Sequence, residues 1–400
     1  MPYIPFHLFL LLIIGLTIAS QFVVYMIVAK YLVGISVNPK FTRRHLPFIF
    51  VLINLPFLFI HFTPQFFYQG LARKLVMFPF YAYETLSIAI LLVALIVFPI
   101  KWILKILLTV KTRKATLATQ MLPSRSRRLF LKKTAIGVGA YTFVGSMYSI
   151  YSRDDYRVED IPLRLRDMPS QLEDLKIAMI SDIHAGLYMT EDDMSKYKEE
   201  LNKLNPDLIF IPGDFVTSKT DEIVPFVKAF SGLKSKLGTY ACLGNHDFFA
   251  NPNIITEKLQ ENGINVLRNE TKELDINGSK LMLSGVDDGE HADFAKVAYE
   301  ANSSNTTKIL LCHRPYYFDK AVAAQYDAML SGHTHGGQIV LAKFFGIKLT
   351  PAALVSPYVA GKYHRGDSVL YVSRGVGTVG LPVRVNCPPE ITLFTLAKKS

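Results

Sequence analysis

The chain has 400 residues, more than one ordinary domain holds, and 50% of them are hydrophobic. Its formal net charge of +11 comes from the first 150 residues, where 16 lysines and arginines face a single acid, Glu84. The other 250 residues carry 28 basic and 32 acidic side chains. A basic excess between apolar segments is typical of membrane topology and argues against nucleic acid as a partner.

Three segments of the first half are long and apolar enough to cross a bilayer as helices, which takes about 20 residues. They cover residues 4–32, 46–63 and 75–99, and a shorter, glycine-containing segment covers 134–150. We therefore expect about three transmembrane helices over residues 1–107 and a basic cytoplasmic loop over 108–133. A fourth anchor is expected over 134–151 and a second domain over 152–400.

The distribution of lysine and arginine between the loops predicts the orientation in the membrane. The first loop has four basic residues and the third, over residues 101–133, has ten and no acid, so both are expected in the cytoplasm. If residues 134–150 span the bilayer, the second domain lies outside the cytoplasm. If that segment only lies on the membrane, the second domain stays in the cytoplasm.

The sequence S-R-R-L-F-L-K at residues 126–132 resembles a twin-arginine export signal. The alternative is a cluster of positive charge that only fixes topology, since the string follows three apolar segments. No small-residue cleavage site follows Ile150, so the segment is expected to remain as an anchor. We expect a multi-pass protein of the bacterial cytoplasmic membrane, exported with the twin-arginine translocase as partner, with its second domain on the extracytoplasmic face.

From residue 172 onward, short apolar strands alternate with helices. Strands are predicted at 175–180, 208–211, 239–243, 308–311 and 328–330, and helices after the capping box that begins at Thr190 and over 223–230. Asn277-Gly278 predicts a tight hairpin. The expected fold class is α/β, a mixed-sheet β-sandwich flanked by helices and preceded by an α-helical transmembrane region.

Polar clusters follow the ends of these strands, where α/β proteins place their ligands. They contain Asp182, His184, Asp214, Asn245, His246, His313, His333 and His335. Carboxylate, amide and imidazole groups without thiolate suit Mn, Fe, Co or Zn in a catalytic site. One shared carboxylate could bridge two divalent ions about 3.5–4 Å apart, the separation used for displacement at phosphorus.

The clusters resemble, in order, the five motifs of the calcineurin-like metallophosphoesterases. The matching strings are Asp182-Ile-His184, Gly213-Asp214, Gly244-Asn245-His246-Asp247, His313 and Gly332-His333-Thr334-His335. The longer string G-H-T-H-G-G-Q at 332–338 is similar to the membrane-associated, YkuE-type bacterial branch, which includes exported phosphoesterases and a UDP-2,3-diacylglucosamine pyrophosphatase. The resemblance implies a metallophosphoesterase-type fold and hydrolysis of phosphoric esters.

The resemblance also implies roles for single residues. The first metal ion would be bound by Asp182, His184 and His335, the second by Asn245, His313 and His333, and both by Asp214. A hydroxide bridging the two ions would attack phosphorus, His246 would assist the leaving oxygen, and Asp247 would orient His246. Many members carry an acid three residues after the bridging aspartate, where this chain has Thr217.

Three arginines near the motifs could bind substrate phosphate outside the metal ions. Arg314 follows a predicted ligand directly, Arg374 lies in a Ser-Arg-Gly turn, and Arg384 follows ten residues later. Each could equally cap a loop or pair with a surface acid.

The expected function is a membrane-anchored phosphoesterase or pyrophosphatase acting on a phosphorylated lipid-linked or cell-envelope compound. One alternative is a UDP-2,3-diacylglucosamine pyrophosphatase-like enzyme of lipid A synthesis, whose catalytic half would face the cytoplasm. Another is a catalytically inactive membrane binding or regulatory protein. A transporter or sensor that governs the phosphatase is disfavoured on the expectation that the apolar segments lack buried charged side chains.

Overall fold

The computed structural model describes residues 6–35, 38–67, 70–112, 125–151, 155–303, 306–344 and 347–399. The chain forms two compact units, Met1–Ile150 and Tyr151–Ser400. Residues 113–124 of the predicted basic loop lie outside the described residues.

The first unit is helical. Its long helices are α1 (Phe6–Ile35), α2 (Pro39–Phe62), α3 (Phe78–Thr112) and α4 (Arg125–Tyr151). Short helical turns at Pro64–Phe67 and Gly70–Ala72 and a π-helical turn at Arg73–Met77 lead from α2 into α3. Asn38 caps the start of helix α2: its side chain accepts a hydrogen bond from the Phe41 amide. The helix continues through two internal prolines.

Two helical stretches of the described residues, Ile14–Val33 and Gly70–Ile103, are long and apolar enough to cross a membrane by length and composition. They overlap the predicted segments 4–32 and 75–99. The predicted segments 46–63 and 134–150 belong to α2 and α4, and their crossing of a bilayer stays a prediction.

Polar side chains join α1 to α3 inside the helical unit. Gln21 donates a hydrogen bond to Glu84 (2.7 Å) and accepts one from the Tyr83 hydroxyl (2.5 Å). Glu84 is 3% exposed and Arg73 is 8% exposed. The expectation that this half lacks buried charged side chains is therefore wrong. Burial of Glu84 is tolerated because Gln21 supplies a hydrogen-bond donor, which offsets part of the desolvation cost.

The second unit contains two six-stranded mixed sheets, which confirms the predicted fold class. The strands of the first sheet, in spatial order, are β1 (Arg157–Leu165), β14 (Glu390–Lys398), β2 (Lys176–Met179), β3 (Leu208–Pro212), β4 (Thr239–Cys242) and β5 (Ile264–Val266). The strands of the second are β12 (Gly361–Arg365), β13 (Ser368–Val372), β9 (Ala328–Ser331), β8 (Thr307–Leu311), β7 (Ser279–Gly285) and β6 (Glu270–Ile276). A separate hairpin consists of β10 (Ala342–Phe344) and β11 (Ile347–Leu349).

Helices connect the strands. They are α5 (Glu191–Leu204), α6 (Ile223–Phe230), α7 (Asn245–Phe249), α8 (Pro252–Glu261), α9 (Phe294–Glu300) and α10 (Phe318–Ala323). Helix α5 begins with the predicted capping box of Thr190 and Asp193. Asn277 and Gly278 join β6 to β7 with φ angles of 54° and 82°, the left-handed backbone that a tight hairpin needs.

The core of the second unit has three parts. Between the sheets lie Phe210, Leu283 and Phe394, all fully buried. A second cluster packs α5 and α6 against the first sheet, and a third packs α9 and α10 against the second sheet. Strands β2, β3 and β4 run parallel, as do β7, β8, β9 and β13, so their carboxyl ends collect the predicted polar clusters.

A substitution of Phe226 on α6 tests this packing. The Phe226 ring stacks on Phe230 (centroids 4.5 Å apart) and meets Phe215 edge to face (5.1 Å), with no solvent exposure. Phe226→Ala is expected to lower the free energy of unfolding of this unit by about 3–5 kcal/mol, because it leaves a cavity. Val224→Ala on the same helix removes a half-exposed side chain and should cost less than about 1 kcal/mol. Denaturant unfolding of the detergent-solubilised chain measures both, and equal losses would contradict this packing.

Candidate metal centre

The loops after the strands have an unusual backbone. Five of the predicted ligands adopt a positive φ between 51° and 75°, namely Asp182, His184, Asp214, His333 and His335. Such a backbone costs a non-glycine residue on the order of 1 kcal/mol. Five such residues at adjoining strand ends indicate that the surrounding fold holds their side chains in place for a function.

The first group of side chains is formed by Asp182, His184, Asp214 and His335. One potential ligand atom from each lies within 4.8 Å of those of the other three, and all four residues are buried. The Nε2 atoms of His184 and His335 are 3.1 Å apart, and Nε2 of His184 is 3.4 Å from Oδ2 of Asp214. Two ring nitrogens facing each other beside a carboxylate form a set of donors suited to a divalent cation.

A second group shares Asp214 with the first. Oδ2 of Asp214 is also 3.1 Å from Nε2 of His313. The ring of His313 lies 5.1 Å from the ring of His333, whose Nδ1 is 2.8 Å from Oδ1 of Asn245. The structure therefore brings all seven predicted ligands together in two groups, with the Asp214 carboxylate between them.

Unsatisfied polar atoms support a cation at this place. Oδ2 of Asp182 is buried and has no hydrogen-bond partner among the described residues. A buried carboxylate oxygen left in this way costs about 1–3 kcal/mol or more, unless an ion or water satisfies it. The donor set thus fits divalent metal ions, because a metal ion would satisfy the oxygen and separate the facing imidazoles.

The protonation of the histidines is also compatible with metal binding. Burial lowers the pKa of His335 to about 4 and holds the pKa values of His184 and His333 well below the usual value, so these rings are neutral. Burial opposes the charged form of His313, but the carboxylates of Asp214 and Asp182 outweigh it and raise its pKa to about 10. Neutral imidazole is the form that binds metal, so metal binding at His313 would be coupled to release of a proton.

The motif glycines leave room for the ligands. A Cβ atom at Gly244 would overlap the Asp214 carboxylate, and one at Gly332 would overlap the carboxylate of Asp182. These positions admit no side chain because the ligand loops approach each other closely.

His246 lies beside the two groups. Its ring is edge-on to the ring of His184, with centroids 4.6 Å apart, and its amide donates to Oδ1 of Asp214 (2.9 Å). Its Nδ1 forms a short contact with the carbonyl oxygen of Thr217. The orientation of the His246 ring therefore comes from the Thr217 carbonyl.

The carboxylate of Asp247 has different partners from the predicted one. Its carboxylate accepts hydrogen bonds from the amides of Gly244 (2.8 Å), Asp214 (2.9 Å), Phe215 (2.9 Å) and Val216 (3.3 Å). The prediction that Asp247 orients His246 is corrected accordingly: its oxygens are aimed at backbone amides, and it fixes the loop that carries the shared aspartate.

Thr217 stands where many relatives have an acid, and its hydroxyl donates to the carbonyls of His184 (3.1 Å) and Ala185 (3.2 Å). Glu222, which sequence reasoning missed, accepts hydrogen bonds from the amides of Thr217, Ser218 and Lys219 (2.8–3.0 Å). Burial raises the pKa of Glu222. The sequence shows Glu222 only as an acid shortly after the Gly213-Asp214 motif, and no pattern there indicates its backbone partners.

The three arginines all have protein partners. Arg314 pairs with both oxygens of Asp288 (2.6 Å each) and donates to the Tyr316 hydroxyl. Arg374 pairs with Glu159 (2.7 Å) and Glu390 (2.9 Å). The guanidinium of Arg384 is buried and donates to backbone carbonyls, including that of His335 (3.4 Å). These contacts give each arginine a structural role, and a role in substrate binding stays a prediction.

Comparison with known proteins identifies the same region. The family described as calcineurin-like phosphoesterase matches residues 175–337. The metallophosphoesterase YkuE of Bacillus subtilis is 32% identical over 286 residues, covering 68% of this chain and 97% of YkuE. A metallophosphoesterase of Campylobacter jejuni is 30% identical over 278 residues (68% and 71%). A transmembrane protein with metallophosphoesterase domain from Bos taurus is 29% identical over 290 residues (68% and 64%).

The position of Asp247 leads to a specific expectation. Asp247→Asn replaces one carboxylate oxygen by an NH2 group that faces backbone donors, so the loop at 213–217 should loosen. We expect a lower melting temperature together with a lower content of bound metal, measured by elemental analysis. Asp207 also accepts a backbone hydrogen bond, from Lys176 (2.8 Å), and Asp207→Asn should reduce stability without loss of metal. A variant of Asp247 with full metal content and normal stability but slow turnover would restore the orienting role.

Proposed function

The chain belongs to the calcineurin-like phosphoesterase family, and on that premise we propose that it is a membrane-anchored, dinuclear metal-dependent phosphoesterase. The observation that carries the proposal is the Asp214 carboxylate, which lies within 3.4 Å of His184 and within 3.1 Å of His313, one residue from each ligand group. Its proposed reaction is hydrolysis of a phosphate ester or pyrophosphate of a lipid or cell-envelope compound.

The protein residues would divide the work as follows. One divalent ion would be held by Asp182, His184 and His335, and the other by Asn245, His313 and His333. Asp214 would contact both ions. Mn, Fe, Zn or Co suits this donor set. Such ions, when bound, activate water and neutralise charge on phosphoryl oxygens. The positive-φ loops hold the ligand side chains before substrate arrives, so little reorganisation is needed in the transition state.

His246 is the proposed acid for the leaving oxygen. Its Nδ1 faces the Thr217 carbonyl and therefore carries a hydrogen, so Nε2 of the neutral ring is a base. The ring would serve as the acid in its imidazolium form, giving the Nε2 proton to the leaving oxygen and returning to the neutral form. Because the amide of His246 donates to Asp214, the position of the ring is tied directly to the shared carboxylate.

The alternative of a catalytically inactive scaffold is disfavoured because all seven predicted ligands are present and brought together. The membrane part of the proposal is supported by the two long apolar helices and by relatives named transmembrane proteins. The loop charges support a catalytic unit outside the cytoplasm. The S-R-R-L-F-L-K string at 126–132 supports export by the twin-arginine translocase of a bacterial cytoplasmic membrane. A UDP-2,3-diacylglucosamine pyrophosphatase-like enzyme remains the second candidate, and it would require the catalytic unit to face the cytoplasm.

His246→Ala tests the catalytic assignment. The variant should keep its bound metal, since His246 is outside the proposed ligand set, while turnover of a chromogenic phosphodiester falls about 10²–10⁴-fold. Stripping the wild-type chain with a chelator should abolish turnover, and Mn, Zn, Fe or Co should restore it. His364→Ala, at an exposed position of β12, serves as the control and should change neither property. Loss of metal from His246→Ala would refute its role, and an inactive metal-loaded wild type would favour the scaffold alternative.

The location of the catalytic unit is tested with a reporter fused after Ser400 and read on each side of the membrane. We expect the signal outside the cytoplasm, because loops one and three carry the basic excess. Changing Arg127 and Arg128 to Lys should trap the unit inside, whereas changing Lys132 and Lys133 to Arg should not. A cytoplasmic signal from the unaltered chain would favour the UDP-lipid alternative.

A further inference from the structure

A polar pocket of about 250 Å³ lies against the loop that carries His335. Its lining includes Arg157, Gly336, Lys343, Lys348, Arg374 and Cys387. Four of these residues are cationic and none is acidic. The lining therefore favours an anionic ligand.

The hairpin of β10 and β11 places like charges together. Lys343 is directly opposite Lys348 in the antiparallel register, and both line the pocket. Like charges at directly opposed positions destabilise a hairpin. Burial lowers the pKa of Lys348, and the nearby charges of Lys343 and Arg374 act in the same direction. An anion bound in the pocket beside the two lysines would offset this repulsion.

The acids near the pocket do not balance these cations. Glu159 and Glu390 both pair with Arg374. The ammonium group of Lys348 makes a long hydrogen bond, 3.5 Å, to the Ala360 carbonyl, and Lys343 and Arg157 are exposed. After Arg374 is neutralised, the pocket keeps the charges of the two lysines and Arg157.

Exposed apolar side chains surround the same hairpin. Leu341 is 67% exposed, and Leu354 and Val355 in the following turn are 83% and 53% exposed. Leu349 is also exposed, but it belongs to the opposite face of the hairpin from Lys348, because successive residues of a strand alternate between its faces. The other three large aliphatic side chains, left in water within fifteen residues, are typical of a surface that contacts another apolar phase. Their combination with lysines matches the interface of an anionic bilayer, which offers acyl chains beneath negatively charged phosphates.

We propose that this surface, formed by Leu341, Lys343, Lys348, Leu354 and Val355 with the pocket, docks the catalytic unit on the bilayer by binding the headgroup phosphate of an anionic phospholipid. The pocket takes the phosphate and the leucines enter the acyl region. The surface is continuous with the metal centre through the residues next to His335. Gly336 follows His335 and packs closely on Arg374, since a Cβ atom at Gly336 would lie 2.6 Å from the Arg374 side chain. The Cys387 thiol donates a hydrogen bond to the His335 carbonyl (3.2 Å). If the proposed lipid phosphoesterase function holds, docking brings lipid-linked substrates close to the metal ions.

The single tryptophan of the chain, Trp102, allows a clean fluorescence test. In a Trp102→Phe background, Leu354→Trp places the probe on the proposed surface and Tyr299→Trp, at an 84% exposed position on α9, places it elsewhere on the same unit. The full-length chain is reconstituted in nanodiscs of brominated phosphatidylcholine, alone or mixed equally with brominated phosphatidylglycerol. The Leu354→Trp probe should be quenched in the mixed discs and much less in phosphatidylcholine, and the Tyr299→Trp probe in neither.

Charge reversal provides the matched control. Lys343→Glu with Lys348→Glu should reduce quenching at position 354 to the phosphatidylcholine level, whereas Lys234→Glu with Lys272→Glu, the same change of net charge at exposed sites, should leave it intact. Quenching that is indifferent to phosphatidylglycerol, or equal at positions 354 and 299, would overturn the proposal. Saturable binding of inorganic phosphate without such dependence would also overturn it, by assigning the pocket to a free anion. Because His246→Ala should not alter the quenching, the result is independent of the proposed catalytic function.

Discussion

The structure of the catalytic unit depends on one carboxylate, that of Asp214, held where the carboxyl ends of two sheets meet. Its Oδ2 faces His184, which follows β2, and His313, which follows β8 of the other sheet. The Nδ1 atom of His313 is 2.8 Å from the carbonyl of Pro212 at the end of β3, so the second sheet is tied to the strand that presents the aspartate. Ligands from both sheets converge because the sheets pack face to face with these ends together.

Holding several polar groups at one buried point requires support from the surrounding loops. The positive φ angles of the ligand residues and the four amide hydrogen bonds accepted by Asp247 fix the loop geometry. Glu222 does the same for the segment after Thr217. The free-energy cost of these strained and buried polar loops is offset by the packing of apolar side chains between the two sheets.

The helical unit and the proposed docking surface suggest a shared purpose. Two long apolar helices would keep the chain at a bilayer, and the basic pocket with its exposed leucines would bring the metal centre to the bilayer surface. Both features would raise the local concentration of a substrate held in the same plane. The buried hydrogen bond between Gln21 and Glu84 holds α1 against α3, so these two helices pack together as one unit.

The sequence by itself determined the fold class and predicted the seven residues that the structure brings together, because strand ends, apolar periodicity and motif spacing can be read directly along the chain. The structure added what depends on contacts distant in sequence. It showed that Asp247 binds backbone amides 31–33 residues away rather than the ring beside it, and that Arg314 and Arg374 are paired with acids. It also showed that Arg73 and Glu84 are buried and that two opposed lysines line a pocket beside His335. Side-chain partners of this kind follow from how the sheets and loops pack, and no local pattern of residues encodes them.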